Sequence, residues 1–497
     1  MASAEAGATD MRKLNLKKYQ EIDRTKPYLL IGKNLNGENI YLPEKGLYQN
    51  IMITGTIGSG KTSSSMYPFL KQLLKYKNYD NYSKIGMLVL DVKGNFYNQV
   101  KLFAEGLDRD DDVIVIDLNG CTKYNPLDKP NLKPHILANR LKNILLLFSE
   151  NNSESYWLDK AEQILCEAIK LCRLYNSGYV TFVELHKLIT VPEYYQQKID
   201  ILRDLFLNKK LDTSSVYDLL SAIEFFEKEY WTLDTRTLSI LKSEITRITG
   251  TFTSDYDILH TFCPEKSEVN FNGFEDVIDK GKIVVLNMNI AEYRNLSKII
   301  AAYLKLDFQS EVLSRLSKAK QDSILPVAFI SDEFHEYVTA TDAEFFAQSR
   351  EAKCINIIAT QSYTSILNTL KNESCAKVIF QNLINKLWLR TDDLFTIEEA
   401  QKQIGKEYKE KVSKTISENA RETNFNYITN NFFSRDSNIS ESINTYTEHD
   451  FIYDSNFFTR SLETFSCLAF LSDGSKIIPP QKINLIPYFL DERIDLK

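Results

Sequence analysis

The sequence predicts an α/β fold in which a mostly parallel β-sheet is interrupted by a long all-α insertion. Three observations carry that prediction. Between residues 50 and 117, short continuous apolar runs alternate with helical stretches, the rhythm of parallel strands covered on both faces. Residues 131–250 then place apolar side chains at helical spacing, with no credible strand between them. The strand pattern resumes only at 283–288, Ile-Val-Val-Leu-Asn-Met.

Taken in order, residues 1–25 are polar and lysine-rich and are expected to be a flexible tail. Residues 28–31 and 38–42 read as a hairpin around Asn36-Gly37, a strong turn dipeptide. Residues 50–54 form a short buried strand that runs into Gly55, Thr56, Ile57, Gly58, Ser59, Gly60, Lys61 and Thr62, and the apolar segment 66–76 supplies the helix that must follow. The pattern is G-x-x-x-x-G-K-[ST], whose glycines let the backbone approach a polyphosphate while successive N–H groups and the helix N-terminus point at it. Lys61 is then expected on the β- and γ-phosphates and Thr62 on Mg²⁺, which makes the ligand a nucleoside triphosphate such as ATP. A second buried strand, 86–91, is followed by Val92-Lys93-Gly94 and a helix from Phe96, and 113–117 forms a third.

The insertion separates these strands from the second acidic element that a nucleotide-binding sheet needs. That element is 327–333, Val-Ala-Phe-Ile-Ser-Asp-Glu. It would put Asp332 near Mg²⁺ and Glu333 on the water that attacks the γ-phosphate. A strand ending in acidic residues is weak evidence alone and much stronger behind an intact phosphate loop. His335 reads as a loop or surface histidine, since no second His or Cys stands at metal-ligand spacing. A further strand, 354–360, ends at Gln361, where a polar side chain would sense the γ-phosphate; the plainer alternative is a strand-ending polar residue. Arg350, within the helical stretch 344–352, is either an arginine finger for a neighbouring subunit or a solvated helix residue. Residues 406–447 are rich in Lys, Glu, Asn and Ser and are expected to be a long flexible excursion. A strand at 465–471, a turn at Asp473-Gly474 and a partner at 476–480 are expected to close an edge of the sheet.

Composition sets outer bounds. At 497 residues the chain exceeds one ordinary domain, and with 43% hydrophobic residues it can bury sizeable cores. A net charge of −7 gives no global signature of a nucleic-acid binder, so nucleic acid would have to be held on a local surface. Seven cysteines, with no C-x-x-C pair, argue for reduced thiols and a cytoplasmic setting. No apolar run approaches the roughly 20 residues needed to span a bilayer.

Together, Gly55 to Thr62, Leu90-Asp91-Val92-Lys93-Gly94, Tyr124-Asn125-Pro126-Leu127-Asp128, Ser331-Asp332-Glu333-Phe334, Arg350 and Ala359-Thr360-Gln361-Ser362 resemble the TraD/TraG-type coupling ATPases of conjugation and type IV secretion. Those proteins belong to the wider FtsK/HerA class of hexameric motors. The resemblance implies a RecA-like P-loop domain in two parts, 26–128 and 276–497, with an inserted all-α domain at 129–275. It also implies ATP hydrolysis with Mg²⁺, engagement of DNA, and contacts with a relaxase-bearing DNA-processing complex and with membrane-embedded secretion components. A hexamer that forms from a mostly monomeric resting protein is expected.

Two departures stand out. Val92 and Asn95 replace the proline and acidic residue usual in the family, with an expected effect on loop rigidity. Many members also begin with transmembrane helices. Here either a separate membrane protein recruits the chain to the inner face of the membrane, or a membrane segment has been trimmed, or the chain serves a soluble relative of the system. Two other functions fit the same residues: a DNA translocase of the FtsK/HerA class in chromosome handling or defence, and a nucleotide-binding adaptor that recruits protein substrates to a secretion system.

Overall fold

The computed structural model describes residues 23–490 apart from 92, 95, 119, 149–154, 209, 319–323, 419–422, 427–430 and 435–438. The expected tail, 1–25, therefore lies almost wholly outside the described residues, as do Val92 and Asn95. The first strands are β1 (Leu29–Asn34), β2 (Asn39–Leu42), β3 (Ile51–Thr54), β4 (Gly86–Leu90), β5 (Val113–Ile116), β6 (Ile283–Leu286), β7 (Val327–Ser331), β8 (Cys354–Thr360) and β9 (Asn385–Trp388). They are followed by β10 (Lys406–Glu418), β11 (Thr423–Asn426), β12 (Asn431–Ser434), β13 (Ile439–Phe451), β14 (Ser466–Ser472) and β15 (Ile477–Leu485).

One unit of the chain, residues 1–391 with 462–497, contains an 11-stranded sheet in the order β2-β1-β15-β14-β9-β3-β8-β7-β4-β6-β5. From β9 to β5 every neighbouring pair is parallel. The central strands β3, β4, β7 and β8 are buried along their whole length, which is why they read as unbroken apolar runs. The helices Tyr67–Lys75 and Phe96–Glu105 cover one face with Phe69, Leu70, Leu73, Leu74, Phe96 and Val100, each fully buried side chain contributing about 1.5–3 kcal/mol. The expected hairpin is present, with Gly37 at φ 78 in its turn. The C-terminal strands do not close the edge of the sheet as expected: β14 and β15 run antiparallel between β9 and β1, and the N-terminal hairpin takes the edge.

Polar groups fix the start of β3. Asn50, at φ 60, donates to the carbonyls of Phe346 (3.0 Å) and Asn382 (2.8 Å). Its side-chain oxygen accepts from Asn356 Nδ2 (2.6 Å) and Ser349 Oγ (3.2 Å). β3 is thereby locked to β8 and to the turn that precedes it.

Between β5 and β6 the described residues form helices and turns with no strand, from Pro134–Leu146 to Glu275–Lys280. The Tyr124 to Asp128 segment joins them to the sheet. Tyr124 Oη donates to Asp307 (3.2 Å), Asn125 Nδ2 to the Val180 carbonyl (2.8 Å), and Asn125 Oδ1 accepts from Leu127 N (3.0 Å). Asp307 lies on the helix Ile290–Lys318, which follows β6, and also pairs with Lys129 (2.7 Å) and Arg140 (3.1 Å). Burial opposes its charge, but the two cations outweigh burial and hold its pKa below the ordinary value.

The second unit, 392–461, overturns the expectation of a flexible excursion at 406–447. β10 and β13 pair antiparallel, residue for residue, from Lys406↔Phe451 to Glu418↔Ile439. Cross-strand side chains add to the backbone ladder of this exposed ribbon. Tyr408 packs on His449 with ring centroids 5.0 Å apart, and Lys411 Nζ reaches Glu448 (2.7 Å) and Asp450 (3.1 Å). Lys411 of this Lys/Glu stretch thus faces the acids of β13.

The Asp307 cluster generates a stability test. Asp307→Asn should destabilise the protein by about 3 kcal/mol, since it strands Arg140 and Lys129 without a buried counter-charge. A carboxylate with a depressed native pKa stabilises fully above its unfolded-state pKa of about 4, and that stabilisation is lost as pH falls through the lower native value. Denaturant melts should therefore show a difference between variant and wild type that is constant near neutrality and shrinks progressively once pH falls to about 4 and below.

Candidate nucleotide site

The phosphate loop leaves β3 between two neighbours. Gly55 N donates to the Gln361 carbonyl (3.2 Å) at the end of β8, and Thr56 N to the Arg390 carbonyl (2.8 Å) just beyond β9. Inside the loop, Ser59 N and Oγ both bond the Thr56 carbonyl (3.2 and 2.8 Å). Gly58 and Gly60 lie at φ 76 and 97. A Cβ on Gly60 would come within 2.5 Å of the Phe465 ring, whereas one on Gly58 would meet open space, so the loop is braced on one side and accessible on the other. Ile57 is exposed at the tip. Lys61 Nζ is buried against the Gly55 (2.6 Å) and Thr56 (3.2 Å) carbonyls, and burial lowers its pKa against the pull of Glu333 and Asp332. The helix opens with a wide first turn in which Tyr67 N bonds the Thr62 carbonyl five residues back.

β8 lies between β3 and β7, so the acidic pair stands one strand away from the loop. Side chains bridge the gap: Thr62 Oγ1 donates to Asp332 Oδ2 at 2.9 Å. Asp332 also accepts from Glu333 N (2.9 Å), while its own N–H bonds the Leu90 carbonyl of β4 (3.0 Å). Burial, Asp91 and Glu333 push the Asp332 carboxyl up to about 6, against Lys93 and Thr62.

Glu333 leaves the line of β7 in the left-handed region, at φ 46. Its side chain is buried. Oε1 pairs with Lys93 Nζ from the loop after β4, and Oε2 has no hydrogen-bond partner among the described residues. Burial raises the Glu333 pKa, and Lys93 more than offsets this, so the carboxyl sits below its ordinary value. Asp91 orients the Lys93 loop by accepting from Lys93 N (2.9 Å) and Phe96 N (3.1 Å). His335, expected in a loop or on the surface, stands half-buried in the short turn Phe334–Glu336, with Nδ1 3.1 Å from Thr360 Oγ1 and 3.6 Å from Glu333 Oε2.

The structure thus brings together Gly55 to Thr62, Asp332 and Glu333, with Gln361 half-buried beside Gly55. It does not bring Arg350 to them. The helix Asp342–Gln348 ends before Arg350, which is exposed in the turn leading into β8. Since β3 and β8 run parallel, that turn lies at the opposite end of the sheet from its own phosphate loop. Sequence reasoning missed Lys93, Asp91 and His335 as parts of the site. Asp91 and Lys93 did stand in a strand-end motif, but nothing local shows that the lysine reaches a residue 240 positions away.

The donor set suits a magnesium–triphosphate ligand. A glycine cradle, a buried lysine, and a hydroxyl–carboxylate pair are present, together with a second buried carboxylate for water. Among the described residues no three His, Cys, Asp or Glu side chains cluster as metal ligands. Mg²⁺ needs no such cluster, since phosphate and water fill most of its coordination shell.

Residues 37–205 match the family model described as the type IV secretion-system coupling protein DNA-binding domain. Residues 326–450 match the model described as the TraM recognition site of TraD and TraG. A comparison with curated proteins returns no match. Among solved structures, the plasmid coupling protein TrwB in complex with ADP and Mg²⁺ superposes with a TM-score of 0.62 at 11% identity, covering 96% of this chain and 92% of that one. The unbound bacterial conjugative coupling protein TrwBdeltaN70 gives 0.60 at 11% identity, covering 95% and 90%. VirB4 of Thermoanaerobacter pseudethanolicus gives 0.50 at 14% identity, covering 93% and 97%. These likenesses establish a shared fold. With these two family models matched over residues 37–205 and 326–450, the chain belongs to the TraD/TraG-type family of coupling proteins.

Proposed function

We propose that this chain is an ATP-hydrolysing motor that engages DNA and links a relaxase-bearing DNA-processing complex to a type IV secretion channel. The observation that carries the reading is the Thr62–Asp332 contact beside the buried Glu333, at the carboxyl ends of β3 and β7. The solved TrwB structures hold ADP with Mg²⁺ or non-hydrolysable ATP and GTP analogues, which supports ATP and Mg²⁺ as the nucleotide and ion here. The descriptions of the two matched family models support DNA and a DNA-processing partner. Among the described residues no helix is long and apolar enough to cross a membrane.

In this reading the loop N–H groups and Lys61 bind the phosphates, and Thr62 with Asp332 holds the ion. When bound, Mg²⁺ supplies charge that offsets the phosphates. Glu333 takes the proton of the attacking water. Gln361 stands at the end of the strand separating loop from acid pair, where it would report the phosphate state to β8 and the turns beyond. Arg350, remote from its own loop, would serve a neighbouring subunit's site in a hexamer. The nucleotide-binding parts are 26–128 and 276–497; segment 129–275 carries none of these groups and is assigned to recognition of the DNA-processing complex.

Two experiments test these roles. Glu333→Gln should keep ATP binding and lose at least about a hundredfold in turnover, while Lys61→Ala should lose both binding and turnover. Near-normal hydrolysis by Glu333→Gln removes that assignment. For Arg350, mixing Arg350→Ala protein with Lys61→Ala protein should restore part of the activity that neither has alone, because an intact site can meet an intact arginine at mixed interfaces. Verified co-assembly without recovery shows that Arg350 is no finger.

A further inference from the structure

Lys93 closes off the carboxylate on which the proposed chemistry depends. Its side chain is 51% exposed, that of Glu333 only 5%, so the ammonium reaches in from solvent to cap a buried group. Both Glu333 oxygens are occupied or hidden. Oε1 holds the lysine, and Oε2 is buried without a hydrogen-bond partner among the described residues, turned toward His335. A general base must lie within hydrogen-bond reach of the water it deprotonates. With Lys93 in place, Oε2 is hidden and water must compete with the ammonium for Oε1.

The surroundings hold the pair in register. Asp91 accepts the Lys93 N–H, Gly94 at φ 73 packs so closely that a Cβ would stand 3.3 Å from the Asn289 side chain, and the left-handed backbone of Glu333 aims its carboxylate across the end of β7. The long lysine stem remains half in water, so the ammonium can be drawn off without unfolding the loop.

We propose that Lys93 is a latch on Glu333, which restrains hydrolysis until the phosphates of a nucleic-acid strand draw the ammonium away. This rests on the reading of Glu333 as the water-activating base. Phosphate oxygens compete for the ammonium through the same charge-assisted hydrogen bonds, and a polyanion offers many of them at once. Lys93 also lies within the segment, 37–205, that matches a DNA-binding family model. The γ-phosphate of bound nucleotide is the other source of the same chemistry, and the two are separable because only one is present when DNA is left out.

The test uses the full chain with Lys93→Met, which keeps the stem and removes the charge, beside wild type and Lys93→Arg. ATP hydrolysis is measured with Mg²⁺, with and without single- and double-stranded DNA, at protein concentrations giving the same assembly state. Lys93→Met should raise the DNA-free rate about tenfold, the effect of one charge-assisted hydrogen bond, and bring the DNA stimulation ratio toward one. Binding of a non-hydrolysable ATP analogue should be unchanged, and Lys93→Arg should keep the low DNA-free rate. A DNA-free rate for Lys93→Met at the wild-type level overturns the latch, since the triphosphate alone then frees Glu333. A lower rate also overturns it, since Lys93 then acts on the substrate. Glu333→Gln measured alongside separates the two readings: if it still turns over, the base assignment has failed, whereas an inactive Glu333→Gln with an unchanged Lys93→Met removes the latch alone.

Discussion

The 2.9 Å hydrogen bond between Thr62 and Asp332 joins two halves of a site that the backbone keeps apart. With β8 inserted between β3 and β7, the phosphate loop and the acidic strand end share no ladder of hydrogen bonds. Their separation is set by two parallel registers, Thr54↔Thr360 and Ser331↔Ile358, and closed by side chains. A slip by one residue in either pairing would turn Asp332 to the other face of the sheet. The buried Asn50–Asn356–Ser349 network at the far end of β3 and β8 is therefore more than local satisfaction of polar groups. It fixes the register that the site at the opposite end depends on.

The same interposed strand gives the site two sides. Toward β8 lie Gln361, Thr360 and His335; toward β4 lie Asp91 and Lys93. Glu333 stands between them, its buried oxygen facing the histidine and the other facing the lysine. One carboxylate thus touches both sides of the site.

Much of this was legible in the sequence. The unbroken apolar runs of β3, β4, β7 and β8 are what parallel strands buried on both faces require, and the phosphate loop's pattern is dictated by backbone approach to an anion. Asp332 and Glu333 followed from the strand they terminate. Lys93 and His335 did not, because their partners are set by strand order rather than by neighbours in the chain, and strand order is invisible to local pattern. The ribbon β10–β13 escaped for a different reason. It is a backbone ladder between two largely polar strands with a few cross-strand charge and aromatic pairs added, and in one dimension such strands look like any solvated Lys/Glu segment. Arg350 was placed on a helix that ends two residues earlier, within the usual uncertainty of helix termini, yet the difference moves it into an exposed turn.

The central claim is that nucleotide hydrolysis at this site is driven by assembly and by DNA. The direct measurement is ATP turnover per subunit across a range of protein concentrations, with and without single- and double-stranded DNA. Turnover per subunit should rise with concentration as rings form and should rise again when DNA is added. A rate per subunit that is independent of concentration and indifferent to DNA would contradict the account.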